Sequence, residues 1–155
     1  MDAADAGRLA ALESSLRQSP PLGDDLEMEE EMLDGLRQLV ELNDRLAAAP
    51  LPTIETSHRV LGSDLCHFIA PVSMPDDPAQ PTGRLLLTSV RAVFAGGART
   101  PALSWHAVRD VIQTGRDVVL VRLGADDGYR FRCNSFADAL CAAAIARHLM
   151  RRARL

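Results

Sequence analysis

The chain contains no lysine; its 17 basic side chains are all arginine. We read this as coding bias without mechanistic content. Aromatics are few, with one Trp, one Tyr and four Phe. A base-stacking surface needs more, and a net charge of −4 repels a phosphate backbone, so nucleic acid is set aside as a partner. Only three cysteines occur, Cys66, Cys133 and Cys141. The opening "MDAADAGRLA" has no basic start and no apolar h-region, so no secretory signal is expected. An odd cysteine count without such a signal leads us to expect free thiols and a cytoplasmic setting. Long apolar runs are also missing: "ALCAAAIA" (139–146) is far too short to span a bilayer.

The motifs of common chemistry are absent as well. There is no G-x-S-x-G, no Walker A and no G-x-G-x-x-G; "FAGGAR" has glycines without a following lysine or helix. His58, His67, His106 and His148 lack the paired spacings of a zinc site. Cys66 and His67 are adjacent, and neighbours on a strand point to opposite faces, so they do not form a nucleophile and its base. Cys66 reads as a small buried hydrophobe. No catalytic residue, metal or cofactor is expected.

What is there suits one domain with a helical appendage, since 155 residues can bury a sizeable core. Charge divides unevenly. Residues 1–49 hold twelve acids and four Arg, a net of −8; residues 50–155 hold nine acids and thirteen Arg, a net of +4. Two units of opposite sign are joined, which favours docking or a common partner.

The first unit, 1–49, reads as helical. Leu9, Leu12 and Leu16 recur at helical spacing within a short helix over 5–17, ended by "SPPLG". A longer amphipathic helix over 24–49 carries a stripe through Met32/Leu33, Leu36, Leu39/Val40 and Leu46/Ala47. Asn43 interrupts the stripe, flanked by Leu42, and reads as a wet edge. The stripe needs a partner: the first helix, the following domain or another copy. Residues 50–57 form a linker, with prolines that end the helix.

From 58 onward the period changes. "LCHFIAPV" (65–72) reads as a strand and "SMPDDPAQPTG" (73–83) as a Pro- and Asp-rich loop. "RLLLTS" and "VRAVFAG" read as a hairpin, followed by "ALSW", "VRDVIQ", "VVLVRL" and "YRFRCN". In the last of these Tyr129, Phe131 and Cys133 face one way, Arg130, Arg132 and Asn134 the other. "SFAD" (135–138) starts a helix, with Ser135 as N-cap. The expected class is α+β: about seven short antiparallel strands and a C-terminal helix, behind an N-terminal helical extension.

This order resembles the pleckstrin-homology (PH) superfold and, within it, GRAM-like and bacterial PH-like domains. "TGRLLLTSVRAVFAGG", "ALSWHAVRDV" and "YRFRCNSFADAL" carry the likeness, through Gly83, Leu85, Leu87, Thr88, Arg91, Phe94, Trp105, Val108, Phe131 and Phe136. The resemblance implies a PH/GRAM-like barrel over 58–155 and a binding role. The sequence departs from phosphoinositide-binding members at the first inter-strand loop, which holds two Asp and no basic residue before Arg84. Like charges repel, so tight binding of polyphosphorylated headgroups there is not expected.

The reading is a non-catalytic adaptor that binds a protein or a second copy of itself. The candidate contacts are Leu36, Leu39 and Val40 of the stripe and an arginine face of Arg84, Arg91, Arg130 and Arg132. The alternative is a peripheral module for anionic membranes, masked by the acidic helix, in which these arginines and the tail Arg147, His148, Arg151, Arg152 and Arg154 meet the lipid.

Overall fold

A computed structural model describes residues 7–8, 24–48, 53–54, 64–96, 100–124 and 127–154. Of the expected short helix over 5–17, residues 7–8 are helical and the rest lies outside the described residues. Of the linker, Ile54 is described: its N–H donates to the Cys66 carbonyl at 2.7 Å, an isolated antiparallel bridge.

Helix α1 spans Asp24–Ala48. The strands are β1 (Cys66–Ser73), β2 (Thr82–Thr88), β3 (Arg91–Ala95), β4 (Ala102–Ser104), β5 (Val108–Thr114), β6 (Asp117–Arg122) and β7 (Gly128–Cys133). A 3₁₀ turn, Trp105–Ala107, joins β4 to β5, and helix α2 covers Phe136–Ala153. The strands form one antiparallel sheet in the order β4-β3-β2-β1-β7-β6-β5. It wraps around one core, because inner-face residues of its two halves (Leu85, Leu87 and Phe94; Val118, Leu120 and Phe131) meet in one cluster with Ala142, Ile145 and Leu149 of α2. Seven antiparallel strands closed by one C-terminal helix make this the expected α+β, PH-like fold.

The local chemistry explains the turns. Thr88 sits at the end of β2, and its Oγ1 accepts from the N–H groups of Val90 and Arg91 at 3.1 and 3.0 Å. Trp105 Nε1 donates to the Thr88 carbonyl at 2.7 Å, so the three motif residues Thr88, Arg91 and Trp105 staple one corner of the sheet. The β5–β6 turn has Gly115 at a φ of 59°, the left-handed conformation a two-residue hairpin turn requires at its first position. Arg116 follows, and its carbonyl accepts from Cys133 N–H at 2.8 Å, tying the turn to β7.

β5 is an edge strand, and exposed edges invite pairing with other chains. Here α2 covers it. Arg147 donates to the Val111 carbonyl at 3.2 and 3.3 Å, and Arg154 Nη2 donates to the carbonyls of Val108 and Arg109, both at 2.9 Å.

The stripe of α1 finds its partner within the chain. Leu36 and Leu39 are 3% and 7% exposed and cluster with Phe136 and Leu140 of α2, with Met32 and Ala144 alongside. Leu42 joins the main core. The seam therefore passes through Leu42, and Asn43 lies half-buried at its edge. This corrects the expectation that Leu36 and Leu39 contact an outside partner: burial against α2 leaves them no free surface. Val40 is half-buried beside them.

One carboxylate anchors the seam. Glu31 Oε1 accepts from Phe136 N–H at 2.8 Å, beyond the Ser135 cap, whose Oγ accepts from Asp138 N–H at 3.1 Å. The same carboxylate receives Arg116 Nε and Nη2 at 3.1 and 2.6 Å. These bonds, the Arg116 pair first, hold the Glu31 carboxyl below its ordinary value of 4.5. Asp117 is likewise held below 3.8, chiefly by Arg132. A carboxyl whose pKa is lower folded than unfolded adds stability above its unfolded value and loses it as pH falls through the folded value. We therefore expect the melting temperature to hold above about pH 5 and fall below about pH 4. Glu31→Gln should flatten that fall and lower the neutral-pH plateau. A fall of the same steepness in the variant would exclude Glu31 from it.

Candidate functional site

At the Thr82 end of β2, three structural pieces enclose a cleft of about 750 Å³. The β1–β2 loop contributes Met74, Pro78 and Pro81, the β3–β4 connection contributes Pro101, and Phe94 and Tyr129 come from β3 and β7. Phe94 stacks on Phe131 with ring centroids 6.1 Å apart, and Tyr129 lies 6.3 Å from Phe131, so the aromatic wall is continuous with the core. The β1–β2 loop is internally pinned. Met74 N–H donates to the Pro81 carbonyl at 3.1 Å, and Asp77 Oδ1 accepts from Ala79 N–H at 2.9 Å. At the cleft rim Gly83 and Gly96 approach so closely that a Cβ on either would collide with the opposing backbone. Prolines and these bonds make the cleft preformed, which lowers the ordering cost of binding.

Its electrostatics follow from the loop sequence. Among the described lining residues Asp77 is the charged one. Asp76 beside it accepts from Arg130 Nε at 3.2 Å. The Arg122 guanidinium lies 5.7 Å from the centre of the Tyr129 ring, a cation–π contact, and is bound to Asp127 at 2.6 Å.

The four expected arginines separate. Arg84 pairs across the sheet with Pro71, and Arg132 with Ser73, so the two flank β1 on its outer face. Arg130 follows two residues along β7. Arg91 lies at the other end of the sheet, opposite Ser104. Charge compensation divides them further. Asp117, 13% exposed, receives Arg130 Nη1 at 2.9 Å and Arg132 Nε at 2.8 Å. Arg91 Nε bonds Asp64 at 3.0 Å. The β6–β7 pairing sets Asp117 directly against Arg132.

Burial shifts all three thiols away from ionisation. Burial, aided by the charges of Asp138 and Asp117, pushes Cys133 up to about 12, and burial and Asp138 push Cys141 up to about 11. Burial also raises Cys66, whose Sγ donates to the Phe68 carbonyl at 3.3 Å. Groups so raised hold their protons at neutral pH, and the thiolate is the reactive form. Among the described residues no group of His, Cys, Asp and Glu is arranged to hold a metal ion.

The sequence reading missed the cleft. Its walls come from segments far apart in the chain. The one local signal was proline density: Pro75, Pro78 and Pro81 in the first loop and Pro101 in the second.

No known family model matches the chain, and no curated protein matches it. Among solved structures it is similar to Inner Membrane Complex sub-compartment protein 1 of Toxoplasma gondii, with a TM-score of 0.48 at 10% identity over 86% of this chain and 97% of that one. It is also similar to the linker-DH/PH domains of p115-RhoGEF, with a TM-score of 0.47 at 10% identity over 96% of this chain. The chain spans about half, 54%, of that second protein.

Proposed function

We propose that the protein is a non-catalytic adaptor, a GRAM-like variant of the PH fold acting in the cytoplasm, whose cleft binds an apolar, neutral or cationic segment of a partner protein. The observation that carries this reading is the cleft itself: a preformed apolar recess of about 750 Å³ whose described charged lining is Asp77. Apolar walls with few convergent polar groups are the usual form of a ligand site. A phosphorylated headgroup would meet Asp77 there, and like charges repel. The compensated arginines Arg130 and Arg132 support the same choice, because their charge is already spent on Asp117 and Asp76.

The test is to pan a random peptide library on the immobilised full chain. Enriched peptides should share apolar residues flanked by Arg or Lys, and Tyr129→Ala should weaken them about tenfold or more, as loss of an aromatic anchor does. Asp77→Lys should reverse the charge preference. Selection without a consensus, or a consensus indifferent to both substitutions, would reject the reading.

A further inference from the structure

Three of the four arginines expected on one face already hold a carboxylate. Arg91 binds Asp64, Arg130 binds Asp76 and Asp117, and Arg132 binds Asp117. Arg84 is exposed, and among the described residues no carboxylate pairs with it.

The neighbours of Arg84 are polar and equally unengaged. Leu85 and Leu87 fill the core, so the alternation of β2 turns Thr82 and Arg84 to the outer face. Register sets Arg84 opposite Pro71 and Thr82 opposite Ser73. On the other side of β1, Val72 pairs with Cys133, and the same register carried one step further brings Asn134 to the far side of Pro71. These residues and Gly83 border a shallow depression of about 460 Å³ on the outer face. Among the described residues, the side chains of Ser73, Thr82, Arg84 and Asn134 make no hydrogen bond.

The depression adjoins the cleft. Ser73 and Thr82 border the depression, while the next residues along the loop, Met74 and Pro81, line the cleft. Gly83 borders the depression and Gly96 the cleft, and a Cβ on Gly83 would lie 2.9 Å from Gly96 Cα. Glycine backbone therefore forms the rim at this point, with no side chain standing on it. An extended segment advances about 3.3 Å per residue, so a few residues carry a chain from one recess to the other.

We propose that Arg84, with Ser73, Thr82 and Asn134, binds a carboxylate of the partner segment that fills the cleft: an Asp or Glu a few residues beyond its apolar anchor. This rests on the cleft reading and gives the bound segment a direction, apolar and basic beside Asp77, acidic beyond the glycine rim. A guanidinium presents paired N–H groups that match the two oxygens of a carboxylate. The two hydroxyls and the amide supply donors for the remaining lone pairs. One positive charge meets one negative charge. A phosphate is the poorer occupant, because it brings nearly two negative charges to the one available guanidinium.

The experiment is parallel panning of a random peptide library on the immobilised full chain and on its Arg84→Gln, Arg84→Glu and Tyr129→Ala variants. The parent should enrich an Asp or Glu at one fixed spacing from the apolar residues. Arg84→Gln should keep the apolar consensus and lose the acidic position, and Arg84→Glu should select Arg or Lys there. Tyr129→Ala should weaken the apolar consensus instead. A labelled synthetic peptide carrying the consensus should lose about fivefold in affinity on Arg84→Gln, read by fluorescence anisotropy. A counterpart with glutamine in place of the acid should lose nothing. Both Arg84 variants should keep the parent melting temperature, since the side chain is exposed. An apolar consensus with no fixed acid, or a fixed acid that Arg84→Gln retains, overturns this proposal and leaves the cleft reading standing. Absence of any consensus rejects the cleft reading and this proposal with it. Tighter binding of a phosphoserine peptide than of its glutamate counterpart also overturns the proposal, and assigns the depression to a phosphate.

Discussion

Trp105→Ala is expected to lower the unfolding free energy by about 3–5 kcal/mol, the usual cost of deleting a large buried aromatic. Trp105 is 1% exposed within the main core. Its indole also donates to the Thr88 carbonyl at 2.7 Å. Alanine therefore leaves a cavity and removes the indole bond to the Thr88 carbonyl, and both effects carry the same sign. Trp105→Phe should lose less, since it keeps much of the apolar volume. Equilibrium urea unfolding followed by circular dichroism reads both. A loss below about 1 kcal/mol for the alanine variant would show that this corner relaxes freely and does not set the join between the two halves of the sheet.

Gly35→Val is the second. A Cβ at Gly35 would lie 2.8 Å from Phe136 Cδ1, 3.2 Å from Ala137 N and 3.3 Å from Ala137 Cα. The ring can turn, but the backbone of α2 can move only by separating the helices. Valine adds two further methyl groups at this crossing, and overpacking of this kind costs about 1–3 kcal/mol. The informative control is Gly35→Ala. In a solvated helix that change stabilises by about 1 kcal/mol, so a loss in its place reports the close helix crossing. Hydrogen exchange should show faster exchange across residues 24–48 in the valine variant while the sheet stays protected. Unchanged protection would mean that α1 and α2 are not held at this distance.

Much of the fold was legible because strand and helix periods leave marks in the sequence. Tyr129, Phe131 and Cys133 alternate with arginines, and the structure turns them to the core as the alternation required. Ser135 caps α2 as its position implied. "ALSW" gave a shorter strand, Ala102–Ser104, because Trp105 turns into the 3₁₀ segment to reach Thr88. "LLL" at 85–87 shows no alternation, since Leu85 and Leu87 fill the main core while Leu86 is buried in a second cluster with Cys66 and Val93 on the other face.

The candidate site was less legible, for a different reason. Charge summed along the chain counted Arg130 and Arg132 as available, but cross-strand register places Asp117 between them, and register is not written in either strand alone. The stripe of α1 was visible, while its occupant lay more than a hundred positions away. The cleft had no periodic signature, because loops meet there by topology.

The hydrogen bond from Phe136 N–H to Glu31 joins residues 105 positions apart. During synthesis from the N-terminus, α1 emerges long before the helix that receives it. Until then Leu36 and Leu39 lack the α2 surface, Phe136 and Leu140, against which they are buried in the folded chain. A chain interrupted before residue 136 would never gain it.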